Sequence, residues 1–435
     1  MPPPLTKARM ILFSVVVFFA LLLVGLDVGF SMISAALLGM TLRAGAGVDP
    51  VMAPLNLVSG VDTAALVTVP LFILAGEAMN RGGVTLRLIT WSAAMVGHFR
   101  GSLSQVAVLT NLIMAGITGS AVADATATGG LMIPAMRDEG YKPGYAAAVI
   151  AASAMLGPIL PPSIPMILYG IMANVSIVKL FLGGVGPALL LTAGYMAICG
   201  IVARRRDYRA RPRATWAERA RVTRSSVWAL FMPVLIIGGI RSGVITVTEA
   251  AGVICLYALA VGLLIYRGLR WRDLGSLLYA AGRTSAVVLF LLAAAGPFAW
   301  LLNEAHIATA ISQGILGISI HPLVVLLVVN VLLLLVGMIL EPLPALVMFV
   351  PTLLPIQAQL GIDPIHFAVV VIVNLMIGML HPPVGLLIFV TSAVGRVPLW
   401  SVAVEVLPFL GWALVVLALI SVFPDLVTFL PRILS

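Results

Sequence analysis

Gly157-Pro-Ile-Leu-Pro-Pro-Ser-Ile164 interrupts one apolar run, and Gly378-Met-Leu-His-Pro-Pro-Val-Gly385 interrupts another 221 residues later. Proline removes a backbone donor and clashes with the preceding turn, so a Pro-Pro pair breaks a helix about midway. In hydrocarbon the freed carbonyls must be buried in protein or line a wet cavity. The same 221-residue offset relates Pro143 to Pro364, Gly157 to Gly378 and Pro161-Pro162 to Pro382-Pro383. Upstream, Asn111 and Pro134 correspond to Asn330 and Pro351 at offsets of 219 and 217. A single kinking proline needs no ligand. Two broken helices in corresponding positions are a secondary-transporter pattern, in which half-helix N-termini face an anion and unwound carbonyls hold cations near the midplane.

The composition agrees. Of 435 residues, 61% are hydrophobic and 9% charged, whereas a soluble domain carries about a quarter charged residues. Disorder needs the opposite balance, and an outer-membrane barrel alternates apolar with polar residues where this chain runs continuously apolar. The fold class read from these runs is an all-α polytopic membrane protein built from two inverted repeats. Residues 1–203 form the first repeat, with a re-entrant hairpin near 103–136 and a broken helix near 145–173. Residues 227–435 form the second, with a hairpin near 322–358 and a broken helix near 366–394. Further apolar stretches run over about 64–80, 84–98, 180–203, 227–240, 244–266, 284–302, 307–320 and 404–422. The run from Met10 to about Met40, with only Asp27 charged, is too long for a cleaved signal core and reads as a retained first span.

A net charge of +9 would suggest nucleic acid in a soluble chain. Here nine arginines between Arg204 and Arg224, against Asp207 and Glu218, place +7 of it in one polar linker, 204–226. Basic loops stay on the cytoplasmic side, and Arg267, Arg270 and Arg272 return to that side after two apolar stretches. The charge therefore reports orientation, with the lipid bilayer and no nucleic acid as partner. Lys7 and Arg9 favour a cytoplasmic start, while an odd number of spans before the linker favours the other side. Cys199 and Cys255 lie within apolar runs and read as buried thiols.

Each break follows a segment unlike an ordinary span. Gly116-Ile-Thr-Gly-Ser-Ala-Val-Ala-Asp-Ala-Thr-Ala-Thr-Gly-Gly130 is rich in small and hydroxyl residues around Asp124, as suits a hairpin tip. Its counterpart is Gly337-Met-Ile-Leu-Glu-Pro-Leu-Pro344, with Glu341 embedded. Close helix packing explains small residues, but intramembrane carboxylates usually mark function or a paired charge. Glu77, Glu249 and Glu304 read as helix-end or internally bonded residues, and His98 beside Arg100 as an interfacial pair. His306, His321 and His366 lack ligand-like spacing, and Trp271, Trp400 and Trp412 read as interface anchors or packing. The chain has no HExxH, GxxxxGK[ST] or GxGxxG. It reads as no enzyme, with transport driven by an ion gradient, and it needs no cofactor.

At Gly119-Ser-Ala-Val-Ala-Asp124, Gly157-Pro-Ile-Leu-Pro-Pro-Ser-Ile164, Thr248-Glu-Ala-Ala251, Gly361-Ile-Asp-Pro-Ile-His-Phe367, Asn374-Leu-Met-Ile-Gly378 and Pro382-Pro-Val-Gly385 the sequence resembles a known family. It is similar to the large membrane subunit of tripartite ATP-independent periplasmic (TRAP) transporters, the DctM-like family, from about Gly60 to Phe409. Pro70 to Asn80 fits as well. The resemblance implies an elevator-type transporter of the bacterial inner membrane that takes up an organic acid, such as a C4-dicarboxylate, with a sodium gradient. Its implied partners are a small four-helix membrane subunit and a periplasmic substrate-binding protein. It implies one sodium site at Thr118, Gly119, Ser120, Gly157, Leu160 and Pro162. The other lies at Gly337, Gly378, His381 and Val384. The family usually reads Thr-Pro-Pro where this chain has His381: a backbone carbonyl tolerates the change, whereas a histidine ring brings proton sensitivity. Substrate is expected between the hairpin tips, near Ser120, Asp124, Ser163, Glu341 and Asn374, held by helix N-termini and hydroxyls with no well-placed intramembrane arginine. A stand-alone divalent-anion or metalloid carrier of related architecture is the alternative, distinguished by uptake without partners.

Overall fold

The computed structural model describes residues 7–41, 51–241, 245–304 and 321–434. His306 and the apolar stretch 307–320 lie outside the described residues. Among the described residues the regular structure is helical: α1 (Lys7–Leu23), α2 (Val28–Thr41), α3 (Met52–Ser59), α4 (Thr68–Arg81), α5 (Val84–Val96), α6 (Ser102–Thr118), α7 (Ala121–Asp138), α8 (Pro143–Ala154), α9 (Ile164–Ala173) and α10 (Ile177–Arg205) precede the linker. After it come α11 (Trp216–Arg241), α12 (Val247–Ala260), α13 (Leu274–Glu304), α14 (Pro322–Ile339), α15 (Pro342–Gln359), α16 (Pro364–Gly378), α17 (Leu386–Gly395), α18 (Leu399–Val422) and α19 (Asp425–Leu434). Among the described residues six helical segments are long and apolar enough to cross a membrane. They comprise Ala64–Arg81, Ile177–Arg205, Val247–Ile265, Trp271–Leu301, Pro342–Gln359 and Leu399–Val422.

Local chemistry sets the boundaries. Pro143, Pro322, Pro342 and Pro364 each open a helix, where a missing N–H costs nothing. Asp363 caps α16 by accepting from the Ile365 and His366 amides, both at 2.9 Å. Thr246 and Glu249 form a capping box on α12, so Glu249 is spent on the helix end. Two expectations are corrected here. The run from Met10 to Met40 is two helices, because Gly25 turns at φ +92° and Asp27 accepts from the Gly29 amide at the start of α2. The linker is only partly loop, because Thr215 accepts from the Glu218 amide and starts α11 within it.

The helices form two packed sets that meet along α5 and α6 and between α13 and α15. Helices α2, α3 and α4 pack on α13, and α4 and α5 pack on α12 and α11. Helices α6–α10 pack with α16–α19, and α15 packs on α9. Directions follow from side-chain contacts with the linker. The Arg211 amide donates to Gly97 O ahead of α6, and the Arg211 guanidinium pairs with Glu139 just after α7. Both ends of the α6–α7 hairpin therefore lie on the linker side. So does the start of α18, where Arg206 pairs with Glu405 at 2.8 Å. Twenty-four residues of α18 span about 36 Å, and at the far end His366 Nε2 donates to Ile420 O at 2.7 Å. Helix α8 starts beside Ser401 on the linker side and α16 starts beside Ile420 on the opposite side, so the two run in opposite directions.

Candidate functional site

At the first hairpin tip α6 ends on Gly119, whose φ is +63°. A Cβ there would fall 2.2 Å from Pro162 O, so the tip backbone rests directly on the broken segment and only glycine permits it. A Cβ on Gly157 would lie 2.8 Å from Asp124 Oδ2 and 3.1 Å from the Ala121 amide nitrogen. Asp124 is fully buried; its Oδ1 accepts from Thr118 Oγ1 at 2.6 Å, and its Oδ2 has no hydrogen-bond partner. A buried carboxylate oxygen without a donor is costly. It is a hard oxygen donor of the kind an alkali cation takes.

The second tip is built differently, with Leu340 and Glu341 both extended in place of a left-handed glycine. It too rests on its break through backbone: a Cβ on Gly378 would lie 2.5–2.7 Å from the C, Cα and O atoms of Gly337. The His381 ring donates from Nδ1 to Pro382 O at 2.7 Å, folding the side chain back on its own break. Both Pro161–Pro162 and Pro382–Pro383 are cis.

Between the tips lies a cavity of about 690 Å³. Its wall includes the first residue of four separate helices: Ala121 of α7, Ile164 of α9, Pro342 of α15 and Leu386 of α17. Each N-terminus carries about half a positive charge and unpaired N–H groups, so four converging ends favour an anion. The charged side chains on the wall are Glu77, Arg283 and Glu341. Glu77 accepts from Arg81 at 2.7 Å, whereas Arg283 on α13 has no ion-pair partner among the described residues.

Residues 15–426 match the family described as the DctM component of tripartite ATP-independent periplasmic transporters. The chain belongs to the DctM family of TRAP transporters. It is 39% identical over 413 residues to a sialic acid TRAP transporter large permease protein, SiaM of Vibrio cholerae, covering 95% of this chain and 96% of that one. It is 38% identical over 367 residues to a C4-dicarboxylate TRAP transporter large permease protein, DctM of Pseudomonas aeruginosa, covering 84% and 86%. A solved structure of Neisseria gonorrhoeae MtrF, from work on a class of antimetabolite efflux pumps, shares the fold at a TM-score of 0.58. That match has 12% identity and covers 97% of this chain and 94% of the other. This DctM protein is thus a multi-pass permease subunit of the bacterial inner membrane, and not an enzyme.

The expected site residues of the DctM chain divide into three sets. Thr118, Gly119 and Ser120 meet Gly157 and Pro162 at the first tip, with Leu160 two residues before Pro162. Gly337, Gly378 and His381 cluster at the second, where Val384 is 43% exposed. Ser120 and Glu341 line the cavity, while Asp124 is buried under the tip. Ser163 and Asn374 are fully buried and stand outside the cavity wall. Ser163 caps α9, accepting from the Met166 amide at 3.2 Å and donating to Pro158 O. Asn374 donates to Asn330 Oδ1 at 2.8 Å, and Asn111 to Ser153 Oγ at 2.6 Å, so each half ties its hairpin to its broken helix. The expectation of no intramembrane arginine is corrected by Arg283. The apolar stretch 284–302 stops one residue short of it, and only the packing of α13 against α15 turns it toward the cavity.

Proposed function

We propose that this DctM chain takes up an organic acid by sodium symport, as the large subunit of an assembly with a small membrane subunit and a periplasmic substrate-binding protein. The observation that carries the reading is the convergence of four helix N-termini and Arg283 on one cavity. A substrate carboxylate lies against the Ser120–Ala123 end of α7 with Arg283 opposite, and Glu341 accepts from a hydroxyl of the same substrate. The volume of about 690 Å³ suits a molecule from a C4-dicarboxylate to a nine-carbon sugar acid. Sodium is cargo in this scheme. One ion takes Thr118, Gly119, Ser120, Gly157, Leu160 and Pro162 with the free Asp124 Oδ2 adjacent, and a second takes carbonyls of Gly337, Gly378, His381 and Val384.

Alternating access follows from movement of the group holding α6–α10 and α14–α19 against the group holding α2–α5 and α11–α13. Arg283 belongs to the second group and the tips to the first, so the anion's surroundings change with the movement. The test is uptake in liposomes containing the large and small subunits, with binding protein outside, over a panel of organic acids and imposed gradients. Uptake that follows the sodium gradient and requires the binding protein is expected. Uptake by this chain alone would refute the tripartite scheme. A His381→Thr variant with altered pH dependence would reassign the second site to protons.

A further inference from the structure

On the linker side a hinge joins the two groups, and one residue spans it. Helix α5 is fixed to its own group. Trp91 Nε1 donates to Thr223 Oγ1 at 3.1 Å, Ser226 donates to Arg87 O, and the Arg87 guanidinium carbon lies 3.9 Å from the centre of the Tyr266 ring. Helix α6 is seated on the other group from its start. Gly101 precedes it at φ +74°, and a Cβ there would stand 2.8 Å from Ala203 Cβ and 3.2 Å from Cys199 O of α10. Between α5 and α6, movement of one group against the other is therefore taken up in residues 97–101. The linker crosses between the groups beside this hinge. Tyr208 is held by the α6–α10 group: its ring stacks 4.1 Å from that of Tyr141, and its hydroxyl accepts from the Lys142 amide at 3.1 Å. Thr215 starts α11 in the other group. Between these two anchors Arg211 touches both sides. Its amide donates to Gly97 O at the end of α5 at 3.1 Å, and its guanidinium pairs with Glu139 at the end of α7.

We infer that the Arg211–Glu139 pair is a clasp across this hinge, closed in the arrangement seen here and opened in each transport cycle. The inference rests on the movement of the two groups proposed above. Gly97 and Glu139 belong to different groups, and one arginine reaches both only while they stand close together. Movement on the scale of one helical turn, about 5.4 Å, outruns a hydrogen bond of about 3 Å. The ion pair is the contact that opens, because its side chains are 48% and 38% exposed and water can replace either partner. A clasp must also be weak enough to release. An exposed pair of this kind shifts an equilibrium only about two- to fivefold, enough to bias the resting arrangement and too little to trap it. Tyr208 is only 8% exposed and keeps the linker on the α7–α8 turn. The glutamate is thereby held near the arginine and the pair can close again.

The test uses a disulfide as a reporter of the arrangement. A Cβ on Gly116 of α6 would lie 3.1 Å from Pro233 Cβ of α11, close to the separation a disulfide spans, and the two residues belong to different groups. Gly116→Cys and Pro233→Cys are made together in the full-length chain carrying Cys199→Ala and Cys255→Ala. The protein is placed in liposomes with its small subunit and binding protein, and disulfide formation under mild oxidation is followed with time. The disulfide is expected to stop uptake, and reductant to restore it. Arg211→Gln and Glu139→Gln should each slow its formation about two- to fivefold, and the two together no more than either alone. Arg211→Glu combined with Glu139→Arg should return the rate to that of the parent. A disulfide that leaves uptake intact refutes the movement itself and the clasp with it. A disulfide that stops uptake yet forms at one rate in every variant leaves the movement standing and overturns the clasp. Slowing that the reversed pair does not relieve overturns it as well.

Discussion

Gly378→Ala tests the second tip directly, because a single methyl there meets only backbone of the facing hairpin and no movable side chain. The added Cβ would stand 2.5, 2.6 and 2.7 Å from the C, Cα and O of Gly337. Ordinary contact between carbon atoms is about 3.5–4.0 Å, so the second hairpin tip must retreat from the break by about 1 Å. Overpacking of this kind costs about 1–3 kcal/mol, and 1.4 kcal/mol is tenfold in an equilibrium constant. If the carbonyls of Gly337 and Gly378 share one ion, its affinity should fall about 5- to 150-fold by that conversion. The assay is sodium-dependent uptake in liposomes, with protein level and elution profile measured in parallel. Gly130→Ala and Gly411→Ala, where a Cβ meets nothing within 4 Å, serve as controls and should behave as the parent chain. A Gly378→Ala protein whose half-saturating sodium concentration stays within twofold of the parent would refute the argument.

Three further outcomes are expected. Arg283→Gln should raise the half-saturating substrate concentration about tenfold while leaving sodium-induced stabilisation intact, since a hydrogen bond to a charged group is worth about 1.5–3 kcal/mol; loss of both would place Arg283 in the structure rather than in the site. Asp124→Asn should abolish the rise in melting temperature that sodium produces through binding only the folded state, and a retained rise would remove Asp124 from the ion's surroundings. At the start of α11 the amide and hydroxyl of Thr215 donate to Glu218 and hold its carboxyl below the ordinary value. A lowered carboxyl stabilises the folded form above its unfolded value and loses that contribution as pH falls through the folded one. Protection of the first-turn amides of α11, taken relative to their intrinsic exchange rate, should therefore fall as the pH drops below about 4.5, and Glu218→Gln should flatten that dependence.

Backbone chemistry is local, so much of this protein was legible without coordinates. Pro143 and Pro364 open α8 and α16, and the Pro-Pro pairs end up between helices, because a missing N–H acts within one turn whatever surrounds it. Gly119, Gly157, Gly337 and Gly378 stood out because a close backbone approach tolerates no Cβ, and each sits at such an approach. Side-chain direction was not legible. Ser163 and Asn374 have the composition of ligands, yet one caps a helix and the other holds α14, since a polar group in a packed interior binds whatever donor or acceptor is nearest. Arg283 was hidden for the converse reason: it ends an apolar stretch in sequence, and its place opposite the tips comes from how α13 lies against α15. Sequence alone determined where the helices break and that the breaks come in a pair. Tertiary packing alone decided that four helix ends meet in one cavity, because convergence depends on contacts between residues more than a hundred positions apart.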